Sequence, residues 1–164
     1  MWLGVDANQG YKRDTLDRLL PELKKARVSL LEQPCQRGEE AELDGIDHTI
    51  PIAADESVLG LDEVEALAGR FDVVNIKLDK CGGLTEGLLI GARARALGMK
   101  VMVGNMIGTS LAMAPAFILG QQCDVVDLDG PIFLVRDRDP GVIYRDGLVQ
   151  CDEAVWGFKR PSVA

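Results

Sequence analysis

Aromatic residues and histidine are scarce in this sequence: Phe, Trp and Tyr make up 5% of its 164 residues, and His48 is its single imidazole. So few rings argue against an aromatic-rich β-sandwich, and one histidine argues against a zinc site built on imidazole. No Cys-x-x-Cys pair occurs among Cys35, Cys81, Cys123 and Cys151, which removes the zinc-ribbon pattern. A disulfide framework is not expected at this length, so the four read as reduced thiols. Basic charge is also in deficit. With 18 Lys and Arg against 26 Asp and Glu the net charge is −8, so neither nucleic acid nor an anionic membrane is expected as a partner. The opening residues MWLGVDANQG lack the basic-then-apolar order of a secretory signal. No apolar run approaches the ~18 residues of a membrane span. A soluble, cytoplasmic protein is expected.

What the sequence does have is a repeat of short aliphatic runs. They cover residues 2–6 (WLGVD), 28–32 (VSLLE), 50–55 (IPIAAD), 73–78 (VVNIKL), 100–105 (KVMVGN) and 123–129 (CDVVDLD). Continuous apolar runs of this length suit strands buried on both faces, as in a parallel sheet. Between them the spacing predicts helices over 14–25, 61–68, 87–97 and 110–119. Gly69 and Gly98 stand at two of the stops, and Pro115 is expected to kink or shorten the last helix. Asp6 to Glu32 is 26 residues, Glu32 to Asp55 is 23, and Asp55 to Lys77 is 22. One strand, helix and return need roughly 25–30 residues, so each polar residue ends one βα unit after the last. Strand ends of this kind converge on one mouth in a barrel. The expected fold is α/β: an incomplete (β/α) TIM-type barrel of about six units, lacking the first strands. The tail 132–164, with the strand-like stretch GVIYRDGLV, is expected to wrap the barrel end. An unclosed barrel exposes sheet edges, so association, including homo-oligomers, is also expected.

Asp6, Glu32 and Asp55 place three carboxylates on three adjacent strand ends. One such acid commonly caps the following helix; three in register suit a hard divalent cation, Mg²⁺ or Mn²⁺, rather than zinc. Such a site could bind a substrate carboxylate and stabilise the charge left when the neighbouring carbon loses a proton. Lys77, inside an apolar run, is the candidate base, its pKa expected to be lowered by burial and nearby cations. Lys80 is the competing lysine, in the loop before Gly82-Gly83. Asp127 and Asp129 alternate onto one face of the last strand, where they would pair with a substrate cation. Asn105, after the fifth run, is a candidate substrate contact, and the N–H groups at Thr109-Ser110 a weaker anion cradle. Asn8 and Glu56 stand beside the proposed ligands Asp6 and Asp55.

Together the segments VDANQG (5–10), LLEQP (30–34), IAADES (52–57), NIKLDKCGGLTE (75–86), GNMIGTS (104–110) and DLDGP (127–131) resemble the enolase superfamily. The likeness is to its muconate-lactonising subgroup, and within that to the dipeptide epimerases of the L-Ala-D/L-Glu type. The resemblance extends to about residue 150. It implies Asp6, Glu32 and Asp55 as Mg²⁺ ligands, Lys77 as one acid/base, and Asp127 and Asp129 as partners of a dipeptide's α-ammonium. The implied activity is metal-dependent epimerisation of a small-molecule substrate by α-proton abstraction through an enolate. Members also carry a second lysine in a Lys-x-Lys motif and an N-terminal capping domain, and neither occurs in this sequence. The chain is therefore expected to be a fragment, inactive alone. Other readings within the subgroup are an o-succinylbenzoate synthase or a muconate-type cycloisomerase. A non-catalytic barrel remnant is the reading outside enzymes.

Overall fold

In the computed structural model, which describes residues 2–47 and 49–157, the six apolar runs pair side by side in chain order. His48 and the last seven residues of the tail lie outside the described residues. The strands are β1 (Gly4–Asp6), β2 (Leu30–Glu32), β3 (Ile52–Ala54), β4 (Val73–Lys77), β5 (Lys100–Gly104) and β6 (Val125–Val126), all parallel. Each is shorter than its apolar run, because the flanking residues leave the ladder to begin the loops. The sheet curls without closing. Residues of both β1 and β6 line one interior cavity of about 230 Å³, yet the two strands do not pair. The fold is an incomplete α/β barrel.

Alternation along the strands sorts their side chains into two layers. Leu30, Ala53, Val73 and Met102 point inward and pack with Val125. Leu31, Ile52, Ala54, Val74, Ile76, Val101 and Val103 point outward, against the helices. Burying each large aliphatic side chain contributes roughly 1.5–3 kcal/mol. The helices are α1 (Arg13–Lys25), α2 (Val64–Leu67), α3 (Leu78–Cys81), α4 (Leu84–Ala96) and α5 (Ser110–Gly120). Leu16, Leu20 and Leu23 of α1 turn toward the sheet, Leu16 completely. Among the described residues no helix is long and apolar enough to cross a membrane.

Four expectations change. The helix over 61–68 is a tight 3₁₀ turn, Leu61–Glu63, followed by the single turn of α2. Pro115 does not shorten α5, whose Met113, Ala114, Ala116 and Leu119 are buried; packing outweighs the hydrogen bond the proline removes. Lys80 lies on α3 rather than in a loop, since the chain turns helical immediately after β4. GVIYRDGLV is a hairpin rather than one strand, with β7 (Ile143–Arg145) and β8 (Leu148–Gln150) joined at Asp146-Gly147. Both turn residues have positive φ, 53° and 74°, which an Asp-Gly pair readily adopts. The tail returns to the barrel: the Tyr144 hydroxyl donates to Leu128 O at 2.5 Å, and Val155 is fully buried.

Candidate active site

Parallel register brings the strand-end acids together. Asp6 and Glu32 are direct partners on β1 and β2, and Glu32 faces Ala53 on β3, so Asp55 stands one pleat further on the same face. Asp6 is exposed, and its Oδ1 accepts from Asn8 N–H at 2.9 Å, which shapes the following turn. Glu32 is buried and accepts from Asn75 Nδ2 at 2.6 Å. Burial pushes the Glu32 carboxyl up to about 7; the Asn75 bond opposes this, while Asp55 and Asp6 add repulsion.

Asp55, also buried, is held from three sides. Lys77 Nζ donates to its Oδ2 at 2.6 Å, and Lys80 Nζ to its Oδ1 and its backbone oxygen. Its backbone N–H donates to Gln33 Oε1 at 2.8 Å. Burial would lower the Lys77 ammonium, but Asp55, Glu32 and Glu56 outweigh burial and hold it above the ordinary lysine value. The expected depression of Lys77 is thus overturned, because the charges around it are mainly anionic. Lys80 goes the other way: burial, aided by the like charge of Lys77, lowers it despite Asp55.

Asp129 is not on the last strand. β6 ends at Val126; Asp127 N–H still donates to Val103 O at 2.9 Å, and Asp129 begins the 3₁₀ turn Gly130–Phe133. Both acids nevertheless line a cavity of about 390 Å³ with Leu128, Tyr144 and the hairpin. The Asp127 carboxyl is raised above its usual range, first by burial and then by Asp129. Asn105 Oδ1 accepts from Gly130 N–H at 3.4 Å, tying the loop after β5 to the one after β6. At the start of α5 the Ser110 N–H donates to Asp137 Oδ1 at 3.0 Å, so that end of the helix is not a free anion cradle.

The donor chemistry suits a hard divalent cation. Three carboxylates neighbour one another, and two further acceptors nearby, Asn75 Oδ1 and Glu56 Oε2, are buried without a hydrogen-bond partner. As placed, no three acidic, Cys or His side chains among the described residues are gathered closely enough to hold an ion. Asp55 is engaged instead by the two ammonium groups. Asn75 and Gln33 belong to this cluster and had no assigned role in the sequence, while Lys80, the competing lysine there, joins it on Asp55. The visible signal was their place inside NIKLDK and LLEQP, beside the assigned residues.

The enolase C-terminal domain-like family model matches residues 1–154. An N-acetyl-D-glutamate racemase from Pseudoalteromonas sp is 42% identical over 93% of this chain and 49% of its own length. The L-Ala-D/L-Glu epimerase of Escherichia coli K12 is 41% identical over 87% and 44% respectively. Among solved structures, an enolase family member from Agrobacterium tumefaciens, with homology to dipeptide epimerases and with bound sodium and L-Ala-L-Glu, superposes with a TM-score of 0.87. It is 46% identical, over 90% of this chain and 45% of that one. A dipeptide epimerase from Methylococcus capsulatus complexed with Mg and L-Arg-D-Lys superposes with a TM-score of 0.85 at 35% identity, over 92% and 45%. The chain spans about half the length of the curated relatives it matches. With an unclosed parallel barrel, acids on successive strand ends and a family model that matches almost all of it, this chain belongs to the enolase C-terminal domain-like family.

Proposed function

We propose that this chain forms one half of a metal-dependent epimerase that moves the α-proton beside the carboxylate of a dipeptide. The observation that carries the reading is the meeting of Lys77 with the strand-end acids: its Nζ lies 2.6 Å from Asp55 Oδ2, and the acids around it include Glu32. Asp6, Glu32 and Asp55 would hold Mg²⁺, or Mn²⁺ in its place. Such a cation supplies Lewis-acid neutralisation of the substrate carboxylate and of the charge that develops as the α-proton leaves. Lys77 takes or returns that proton on one face of the α-carbon, leaving or quenching an enolate. Asp127 and Asp129 face the substrate's ammonium, with Asn105 beside them. Inversion needs a second acid/base on the opposite face, and we assign it to polypeptide that completes the barrel.

A second reading is favoured by the 42% identical N-acetyl-D-glutamate racemase, whose substrate has an acylated amine and no ammonium. Asp127 and Asp129 separate the two readings. The test combines the chain with the N-terminal half of a dipeptide epimerase and follows α-deuteration of dipeptides and N-acetyl amino acids in D₂O with Mg²⁺. Deuteration of dipeptides that is lost in Lys77→Ala and weakened in Asp127→Asn and Asp129→Asn supports the epimerase. Deuteration of N-acetyl amino acids alone, indifferent to Asp127 and Asp129, supports the racemase. A folded, metal-loaded assembly that deuterates neither class, and turns over o-succinylbenzoate precursors or muconate instead, places the chain with the other subgroup activities.

A further inference from the structure

Gln33 follows Glu32 directly, and it is fully buried. Its backbone has a φ of +33°, in the left-handed region that strains a residue with a Cβ and persists only where its surroundings demand it. Those surroundings can be named. The Gln33 N–H donates to Ala53 O at 2.8 Å, and its carbonyl accepts from Gln9 N–H at 2.7 Å. The side-chain amide uses all of its capacity. Nε2 donates to Cys35 O at 3.0 Å and to Ser57 Oγ at 2.7 Å. Oε1 accepts from Asp55 N–H at 2.8 Å and from Ser57 N–H at 3.1 Å. Ser57 Oγ then donates to Glu40 Oε1 at 2.7 Å. The direction of this relay requires a side chain with both a donor and an acceptor end, which an amide has and a carboxylate lacks.

One residue therefore joins the chain segments that leave β1, β2 and β3, its carbonyl holding the first and its side chain the other two, beside Asp6, Glu32 and Asp55 at the ends of those strands. We propose that Gln33 is a positioning residue: it fixes the backbone at Glu32 and Asp55 and so presents their carboxylates on the face where a divalent cation would bind. The inference rests on the reading of Asp6, Glu32 and Asp55 as the cation-holding set. Buried polar partners that orient ligands are typically worth about 10–100-fold in metal affinity.

The test is Mn²⁺ affinity, measured by electron paramagnetic resonance on the full chain, with the melting temperature followed in parallel. Gln33→Met keeps the volume and removes all four side-chain bonds; Ser57→Ala removes one partner. Asp55→Asn reports on the cation reading itself, and Ile90→Ala, a buried core position on α4, reports on lost stability alone. The expected result is a loss of about 10–100-fold in Gln33→Met and a smaller loss in Ser57→Ala. Ile90→Ala should keep wild-type affinity despite a lower melting temperature. Wild-type affinity in a folded Gln33→Met overturns the proposal while leaving the cation reading intact. Should Gln33→Met not fold, unchanged affinity in Ser57→Ala overturns it. A wild-type chain that binds no Mn²⁺, or binds it equally after Asp55→Asn, overturns the cation reading and this proposal together.

Discussion

Lys77 and Lys80 stand three positions apart and both reach Asp55, but their environments set them in opposite directions. Lys77 is the more open of the two, with 17% of its side chain exposed against 9% for Lys80. It is also surrounded by more anionic charge, so it is held protonated, while burial dominates at Lys80. Neither result follows from residue type; each depends on how many acids the sheet aligns with the ammonium. The space around Lys77 is equally particular. Gly104 pairs with it across β4 and β5, and a Cβ there would stand 3.1 Å from Lys77 Cε and 3.0 Å from Asn75 Oδ1. Gly104→Ala should therefore displace the lysine more than it destabilises the fold. We expect α-deuteration by the completed barrel to fall by about 100-fold, as misplacement by about 1 Å can cause. The melting temperature should change by only a few degrees. A Gly104→Ala protein with full activity would show that the lysine's position has slack.

At the scale of elements, the loops after β5 and β6 and the start of α5 act as one unit held by a few polar contacts. Gly130 is buried against Asn105, and a Cβ on it would overlap both Asn105 Nδ2 and Met106 O. Gly130→Ala is expected to cost about 1–3 kcal/mol in urea unfolding and to loosen Asn105 as well. Asp137 serves α5 from a distance of 27 residues, accepting from the Ser110 N–H and hydroxyl. Burial would raise its carboxyl, but these bonds and the Arg138 N–H prevail and hold it below the usual carboxylate range. Because the folded value lies below the unfolded one, the stability Asp137 contributes is fully present above pH ~4. It is lost as pH falls through the lower, folded value. Asp137→Asn should thus remove part of the fall in melting temperature between neutral and acid pH. An acid limb identical to wild type would mean the contact adds no stability.

At the scale of the whole molecule, apolar surface remains uncovered along the two free sheet edges. Trp2 is 57% exposed beside β1; Val126, Ile132, Phe133, Ile143 and Leu148 are exposed beside β6. Closed barrels of this type have eight strands, and here six end in a gap bordered by apolar residues. Polypeptide that completes the barrel should cover Trp2. In a Trp156→Phe background, Trp2 emission is expected to shift to shorter wavelength on complementation, and concentration-dependent self-association of the isolated chain should fall. Emission unchanged in a complex that forms would place the contact elsewhere.

The order of six parallel units and the acids that end them were legible in the sequence, because apolar runs and their spacing are local properties of the chain. The Asp146-Gly147 turn was not read there, because GVIYRDGLV passes as one strand until both halves are seen to pair. Tertiary structure decided what depends on neighbours distant in sequence. The direction of the Lys77 shift, the place of Asp129 beyond β6 and the helix through Pro115 all follow from which groups the curled sheet brings together. Gln33 is the clearest case. LLEQP shows its place beside Glu32 but not its burial; only the fold encloses it between three strand ends, where its bonds to Asp55 and Ser57 span 22 and 24 residues of chain.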